Sequence, residues 1–488
     1  MGELSSSPAG TGGAGASRST DRAHAAKNSS DNATSQRAKT NLLWAGCDSG
    51  LTVGVTIELP AMRVKERVRW HLDHDYRNPI RDPLWSHIHL SDGLLAVVES
   101  VPFQQLGRIK QLGPAHLVYP GATHTRLAHS LGVYHIAHRM IRTLLSHDEC
   151  PHLDLEAVVA YLCAALLHDL GHFPFTHSLK ELPLDHHETL AARLIEQEPL
   201  ASLIRDRVGV DPSFVAAIID ESIDDDRDEV GFFRTLLSGA LDPDKLDYLN
   251  RDAYFCGVPY GMQDIDFALS RIRPHRAHGI ILEQSGISAV ENVLFSKYLM
   301  YRAVYWHRNV RVATAMIKTG LYAALAEGLI PLDSLYGLTD ESFYNGFASR
   351  DGRPFELIRR VHDRQLHIPV ADVEYIESEP NHTRLSDLAY RRGVEDRVRS
   401  MIGGTTGRAP DPEDVIIDVP EAVSFEVRFP VLSGDRILDY PNAGTVFTPH
   451  VIGDFTRTLR RIRLMLSPAV ADRCVHPQEL IDAALASN

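Results

Sequence analysis

AVVAYLCAALLHDLGHFPFTH, residues 157–177, decides how this chain folds. Eleven residues from Ala157 to Leu167 are apolar without a break, and the run stops at His168-Asp169. It is too short to cross a bilayer, which takes about 20 residues. A helix that is apolar on every side is buried in a protein core. Its end then carries an imidazole and a carboxylate into the interior as neighbours. Pro174 breaks helix soon afterwards, so His172 and His177 are expected on a loop.

The surroundings are rich in the same chemistry. Of 25 histidines, twelve fall between His116 and His187. Mixed imidazole and carboxylate donors suit Mn, Fe, Co, Ni or Zn, and tolerate Mg less well. His168 and Asp169 come from one helix end, His129 from a second helix and Asp244 from a third. By spacing alone this set is only permissive. The third helix says more. In ALDPDKLDYLNRD (240–252), Asp242 is a suitable N-cap and Pro243 takes the first helical position. Asp244, Tyr248 and Asp252 follow at i, i+4 and i+8 on one face, with Lys245 beside it. That stripe makes a poor core and a good substrate wall.

The 488 residues carry 44% hydrophobic and 23% charged side chains with a formal net charge of −14. An acidic chain is no general nucleic-acid coat. It must also build a locally positive pocket for any anionic substrate. Five scattered cysteines without a CxxC pair indicate a reduced, cytoplasmic setting. Residues 1–40, rich in Ser, Gly and Ala, are expected to be a disordered tail. Helical spacing dominates from about Leu94 to Leu325. ESIDDDRDE (221–229) reads as solvated surface. After about Ser334 the segments VIIDVP, SFEVRFPVL and RILDY (415–440) look like strands. The stretch from Asp454 to Leu466 reads as a basic helix with an exposed face; nucleic-acid or regulator binding there has weak support.

Four strings together carry a resemblance: HLVYPGATHTRLAHSLG (116–132), LLHDLGHFPFTHSL (166–179), DHHE (185–188) and LDPDKLDYLNRDAYFCG (241–257). In order, spacing and flanks they closely resemble the HD-domain deoxynucleoside triphosphate (dNTP) triphosphohydrolases, which include an animal enzyme with a sterile-alpha-motif domain and its bacterial relatives. The likeness runs from RDPLWSHIHLSD at 81 to LMYRAVYWHR at 299–308, about half the chain. It implies a mainly α fold: an HD-domain helical core over 41–330 and a C-terminal α+β accessory or oligomerisation region over 331–488. It implies metal ligands at His129, His168, Asp169 and Asp244, and catalytic residues at His172, His177, His187 and Glu188. Arg126, Lys245, Tyr248, Asp252, Lys297 and Tyr305 match substrate-binding positions, as do Gln111 and Leu112 near the sugar and base. Lys297 replaces an Arg, keeping charge but losing the two-pronged fork.

The implied activity is metal-dependent hydrolysis of a dNTP to deoxynucleoside and inorganic triphosphate. The implied partners are the dNTP, a nucleotide activator and further copies of the chain, with no membrane. Some positions depart from the family. Lys180, beside Glu181, replaces an acid that supports a catalytic histidine. Trp306 replaces a polar residue after the sugar-stacking tyrosine. Glu99 and Gly107 occupy an activator site that has lost its Arg. An HD phosphatase or phosphodiesterase for another nucleotide, and a nucleotide-sensing module with little catalysis, are the competing readings.

Overall fold

The structure, a computed structural model, describes residues 63–150, 153–421, 423, 425 and 429–486. The expected tail at 1–40 lies outside the described residues. Helix α1 (Val64–His74) leads into an antiparallel hairpin of β1 (Asn78–Asp82) and β2 (Ser86–Leu90). Thr125 starts α2 (Arg126–Leu144) by accepting a hydrogen bond from the Ala128 amide. Asp154 does the same for α3 (Leu155–Leu167), accepting from Ala157 at 2.8 Å. Every residue of α3 from Ala157 to Leu167 is buried, as a helix apolar all round requires.

Two further helices, α4 (His187–Ile195) and α5 (Pro212–Ile219), pack on each other, and α5 also packs on α3. Asp242 caps α6 (Pro243–Cys256) through the Lys245 amide, and Pro243 opens it as expected. Gly257, at φ 67°, ends α6 in the left-handed region. Helix α2 lies against both α3 and α6. Its approach to α6 needs the absence of a side chain at Gly132. A Cβ there would stand 1.9 Å from an Asp247 carboxylate oxygen and 2.5 Å from Arg251 Nη2.

The chain then builds β3 (Ile272–His275), β4 (Gly279–Glu283), α7 (Ile287–Met300), α8 (Arg308–Ala326) and α9 (Arg353–His362). There follow β5 (Ile368–Glu374), α10 (Leu388–Thr406), β6 (Val415–Asp418), β7 (Pro430–Ser433) and β8 (Arg436–Asp439). Last come α11 (Pro449–Leu459), β9 (Arg461–Leu466) and α12 (Pro477–Ala486). The strands form small sheets in the orders β3-β4-β7-β8 and β5-β9-β6. The fold is mainly α, and its two larger sheets are built from strands between residues 272 and 466. One apolar cluster joins Phe173, Leu179 and Leu182 to Met316 of α8, Ile358 of α9, Ile416 and Met465.

Three sequence expectations are corrected. The helix expected over 454–466 ends at Leu459, and Arg461–Leu466 is the middle strand of its sheet. Ile462 and Leu464 are buried while Arg461 and Arg463 are half-buried, so the period of two outweighs the helix preference of Arg, Leu and Met. The helical stretch 94–325 is interrupted by the β3–β4 hairpin. Of SFEVRFPVL, Pro430–Leu432 form strand, whereas Phe425 and Phe429 lie outside any strand.

Burial on α2 also sets a pH response. It lowers the His135 pKa from 6.5 to about 4, helped by Arg139, and that of His138 to about 3, helped by Arg142. Both imidazoles stay neutral in the fold while the unfolded chain takes up protons below pH 6.5. Stability is therefore expected to fall as the pH drops from about 6.5 towards 4. Denaturant titrations at stepped pH check this; a midpoint unchanged across that window would contradict it.

Candidate active site

His129, His168, Asp169 and Asp244 converge. His129 projects from the second turn of α2, His168 and Asp169 end α3, and Asp244 sits in the first turn of α6. His129 Nε2 is 2.9 Å from Asp244 Oδ1 and 3.9 Å from Asp169 Oδ2. His168 Nε2 is 3.4 Å from Asp169 Oδ1 and 3.8 Å from Asp244 Oδ1. Adjacent donors on a cation at roughly 2.1 Å stand about 3 Å apart, so this spacing needs only a small contraction. The negative end of the α3 dipole lies at the same place and favours a cation.

The hydrogen bonds orient the donors. His168 Nδ1 donates to the Ala165 carbonyl at 3.0 Å, which leaves Nε2 as a bare acceptor. That Nε2 is buried with no hydrogen-bond partner; an acceptor so placed fits a bound cation. His129 Nδ1 donates to Asp247 Oδ2 at 2.9 Å and turns Nε2 inward, the carboxylate–histidine arrangement of metal centres. Burial opposes charge on His129, but the hydrogen bonds to Asp244 and Asp247 outweigh it and lift the pKa to about 10. Three carboxylates around one imidazole make a site that attracts positive charge. These residues fit a divalent cation.

Asp247 is itself held. Arg251 grips it through Nε at 2.8 Å and Nη2 at 2.9 Å, and Trp85 Nε1 donates to it at 2.6 Å. Arg251 Nη1 reaches on to Asp82 Oδ2 at 2.9 Å, while Asp82 Oδ1 caps the turn at Leu84 and Trp85. The sequence reading missed this chain of four residues. Asp247 and Arg251 stand i, i+4 and look like a surface pair; only their burial reveals them.

Beside the metal-type donors lies an imidazole cluster. His172 donates from Nδ1 to the Asp169 carbonyl at 3.2 Å, so its Nε2 accepts from His177 Nε2 at 3.1 Å. The His187 ring centroid is 4.0 Å from that of His172, and His187 Nδ1 is 3.1 Å from Glu188. Asp169, His172 and His187 also have cation-binding spacing. Both nitrogens of His172 are already engaged, and Arg126 Nη1 holds Asp169 Oδ2 at 2.7 Å, which leaves this second group less open to a cation than the first. Burial, then Arg126, holds His172 and His177 well below 6.5. His177 is exposed on the wall of a cavity.

A cavity of about 950 Å³ brings most of the expected residues together. Gln111, Leu112, Arg126, His129, His168, Asp169, His177, His187, Glu188, Asp244, Lys245, Tyr248, Asp252 and Tyr305 all line it. His172 lies just behind His177. Lys297 is not on this wall; its ammonium is 5.8 Å from the Phe425 ring. Lys245 Nζ holds the capping Asp242 at 2.6 Å. Asp252 accepts from Tyr305 at 2.6 Å and from His124 Nε2 at 2.8 Å, which makes His124 a further residue the sequence reading passed over. Glu221, from the acidic segment read as solvated surface, is exposed and reaches the rim. Among the described residues no helix is long and apolar enough to cross a membrane.

The HD domain pattern matches residues 126–243, and the HD associated region matches residues 272–442. An uncharacterized Bacillus subtilis protein, YwfO, is 32% identical over 345 residues, covering 64% of this chain and 76% of that protein. The chicken deoxynucleoside triphosphate triphosphohydrolase SAMHD1 is 27% identical over 319 residues. That match covers 55% of this chain and 52% of the enzyme. A crystal structure of a hypothetical Aquifex aeolicus protein superposes with a TM-score of 0.63 at 26% identity, over 81% of this chain and 98% of that one. Fold, domain pattern and relatives lead to one assignment: the chain belongs to the HD-domain family.

Proposed function

We propose that the protein hydrolyses dNTPs to the deoxynucleoside and inorganic triphosphate. One observation supports this best. A single cavity joins the four metal-type donors, the imidazole cluster and a wall of Gln111, Tyr248, Asp252 and Tyr305. A divalent cation at His129, His168, Asp169 and Asp244 would polarise the innermost phosphate and activate water.

The side chains supply the rest. Arg126 reaches Asp169 and can share its guanidinium with a phosphate oxygen. Lys245 and, on the same cavity lining, Lys180 and the Asp340-paired Lys110 offset triphosphate charge. His177 is neutral in the free protein; an arriving polyanion raises its proton affinity. It can then deliver a proton to the leaving 5′-oxygen. Tyr305 and Asp252, tied to each other, close the sugar side where a 2′-hydroxyl would crowd. The chain is expected to work as a homo-oligomer and to respond to a second nucleotide.

Each of the four dNTPs, incubated with Mn or Mg and with or without a second nucleotide, is expected to yield triphosphate and deoxynucleoside by ion-exchange chromatography. Release of orthophosphate or pyrophosphate would show an HD phosphatase acting elsewhere on a nucleotide. The placement of Lys297 away from the cavity wall favours that second reading, since it removes one expected phosphate ligand. Tight dNTP binding with no turnover in any metal would instead indicate a sensor.

A further inference from the structure

The turn that carries His177 is short and strained. It consists of a 3-10 segment, Thr176–Leu179, entered through Phe175 at φ 67°, a left-handed backbone that a bulky residue rarely adopts. Such a conformation persists only where its surroundings over-determine it. Phe173, Leu179 and Leu182 anchor one side of the turn in an apolar cluster. The polar anchor is Glu181, four residues beyond His177. Its Oε1 accepts from Arg391 Nη2 at 2.6 Å and its Oε2 from Arg391 Nη1 at 3.1 Å, and Lys318 Nζ also bonds Oε2. Arg391 Nε is pinned to the Leu385 carbonyl at 2.7 Å. The Lys318 and Arg391 side chains are 7% and 4% exposed. This is a buried, two-pronged grip reaching from α8 and α10 to the His177 turn.

We propose that Arg391 and Lys318 are positioning residues: by clamping Glu181 they hold the His177 turn at the cavity, so that the C-terminal α10 sets the alignment of the proton donor. Arg391 ion-pairs with Glu181 and so joins α10 to this turn. Arg391 touches neither the cavity nor the metal-type donors, so its influence on chemistry runs through Glu181. The proposal rests on the reading of His177 as the proton donor.

A double-mutant cycle tests it with full-length protein, Mn and the dNTP turned over fastest. Arg391→Ala is expected to lower kcat at least tenfold while KM and bound metal change less than twofold, and Arg391→Lys to restore part of the loss. In the His177→Ala background, Arg391→Ala is expected to cause no further fall in kcat. If the two losses multiply instead, Arg391 acts elsewhere and the proposal is overturned. If His177→Ala alone leaves kcat unchanged, the proton-donor reading fails and takes the proposal with it. Should Arg391→Ala not fold by circular dichroism, Glu181→Gln, which keeps the shape and part of the hydrogen bonding, enters the same cycle with the same outcomes.

Discussion

His168→Ala combined with Asp169→Asn is expected to abolish both metal retention and hydrolysis. The double change removes an unpartnered imidazole nitrogen and the carboxylate that lies between the two histidine groups. A bound metal contributes several kcal/mol to such a reaction, so the rate should fall at least roughly a thousandfold. Asn keeps an acceptor for Arg126 Nη1, so the fold should survive. Metal analysis after gel filtration, circular dichroism and product release together check this. A variant that kept its metal, or released product at the original rate, would remove the four-donor site from the account.

Arg251→Met should produce the largest loss of stability. The guanidinium is fully buried and is the cation joining Asp82 to Asp247. Its removal leaves the interior carboxylate of Asp82 without its cation and that of Asp247 with His129 and Trp85 as partners. Breaking a buried pair in this way costs about 3–5 kcal/mol. Calorimetry should show the unfolding midpoint lowered by several degrees. Adding Asp82→Asn and Asp247→Asn should recover much of that stability, because no buried charge is left uncompensated. The recovered protein should still bind metal roughly 10–100-fold more weakly, since His129 has lost the carboxylate that orients it. An Arg251→Met protein as stable as the parent would show that the ion-pair chain contributes nothing.

The parts of the fold written in continuous or capped segments were legible in the sequence. The buried helix α3 announces itself by eleven apolar residues ending at His168-Asp169. The start of α6 is signalled by Asp242-Pro243, which caps as expected. The loop placement of His172 and His177 follows from Pro174. The four metal-type donors were nameable, because their strings keep family order. What depended on tertiary burial was not legible. Asp247 and Arg251 have the composition of a solvent-facing pair, and nothing local says that Trp85 and Asp82, some 165 residues earlier in the chain, will cover them. His124 looked like one histidine among twelve until Asp252 was seen against it. The strand Arg461–Leu466 was misread because its residues favour helix in isolation and gain strand form only by pairing with β5 and β6.

Gly132 has a consequence for what can change in this scaffold. It lies three residues after His129 on α2, so one helix face supplies both a metal-type donor and the gap into which Asp247 fits. Even one added methyl would push the carboxylate away from the imidazole it steers. Gly132→Ala, ordinarily favourable by about 1 kcal/mol in a helix, should here weaken metal binding and lower stability together, because the methyl meets both Asp247 and Arg251. Tightening the scaffold and retuning its chemistry are therefore a single design problem at this position: a substitution chosen to rigidify α2 will also re-aim His129.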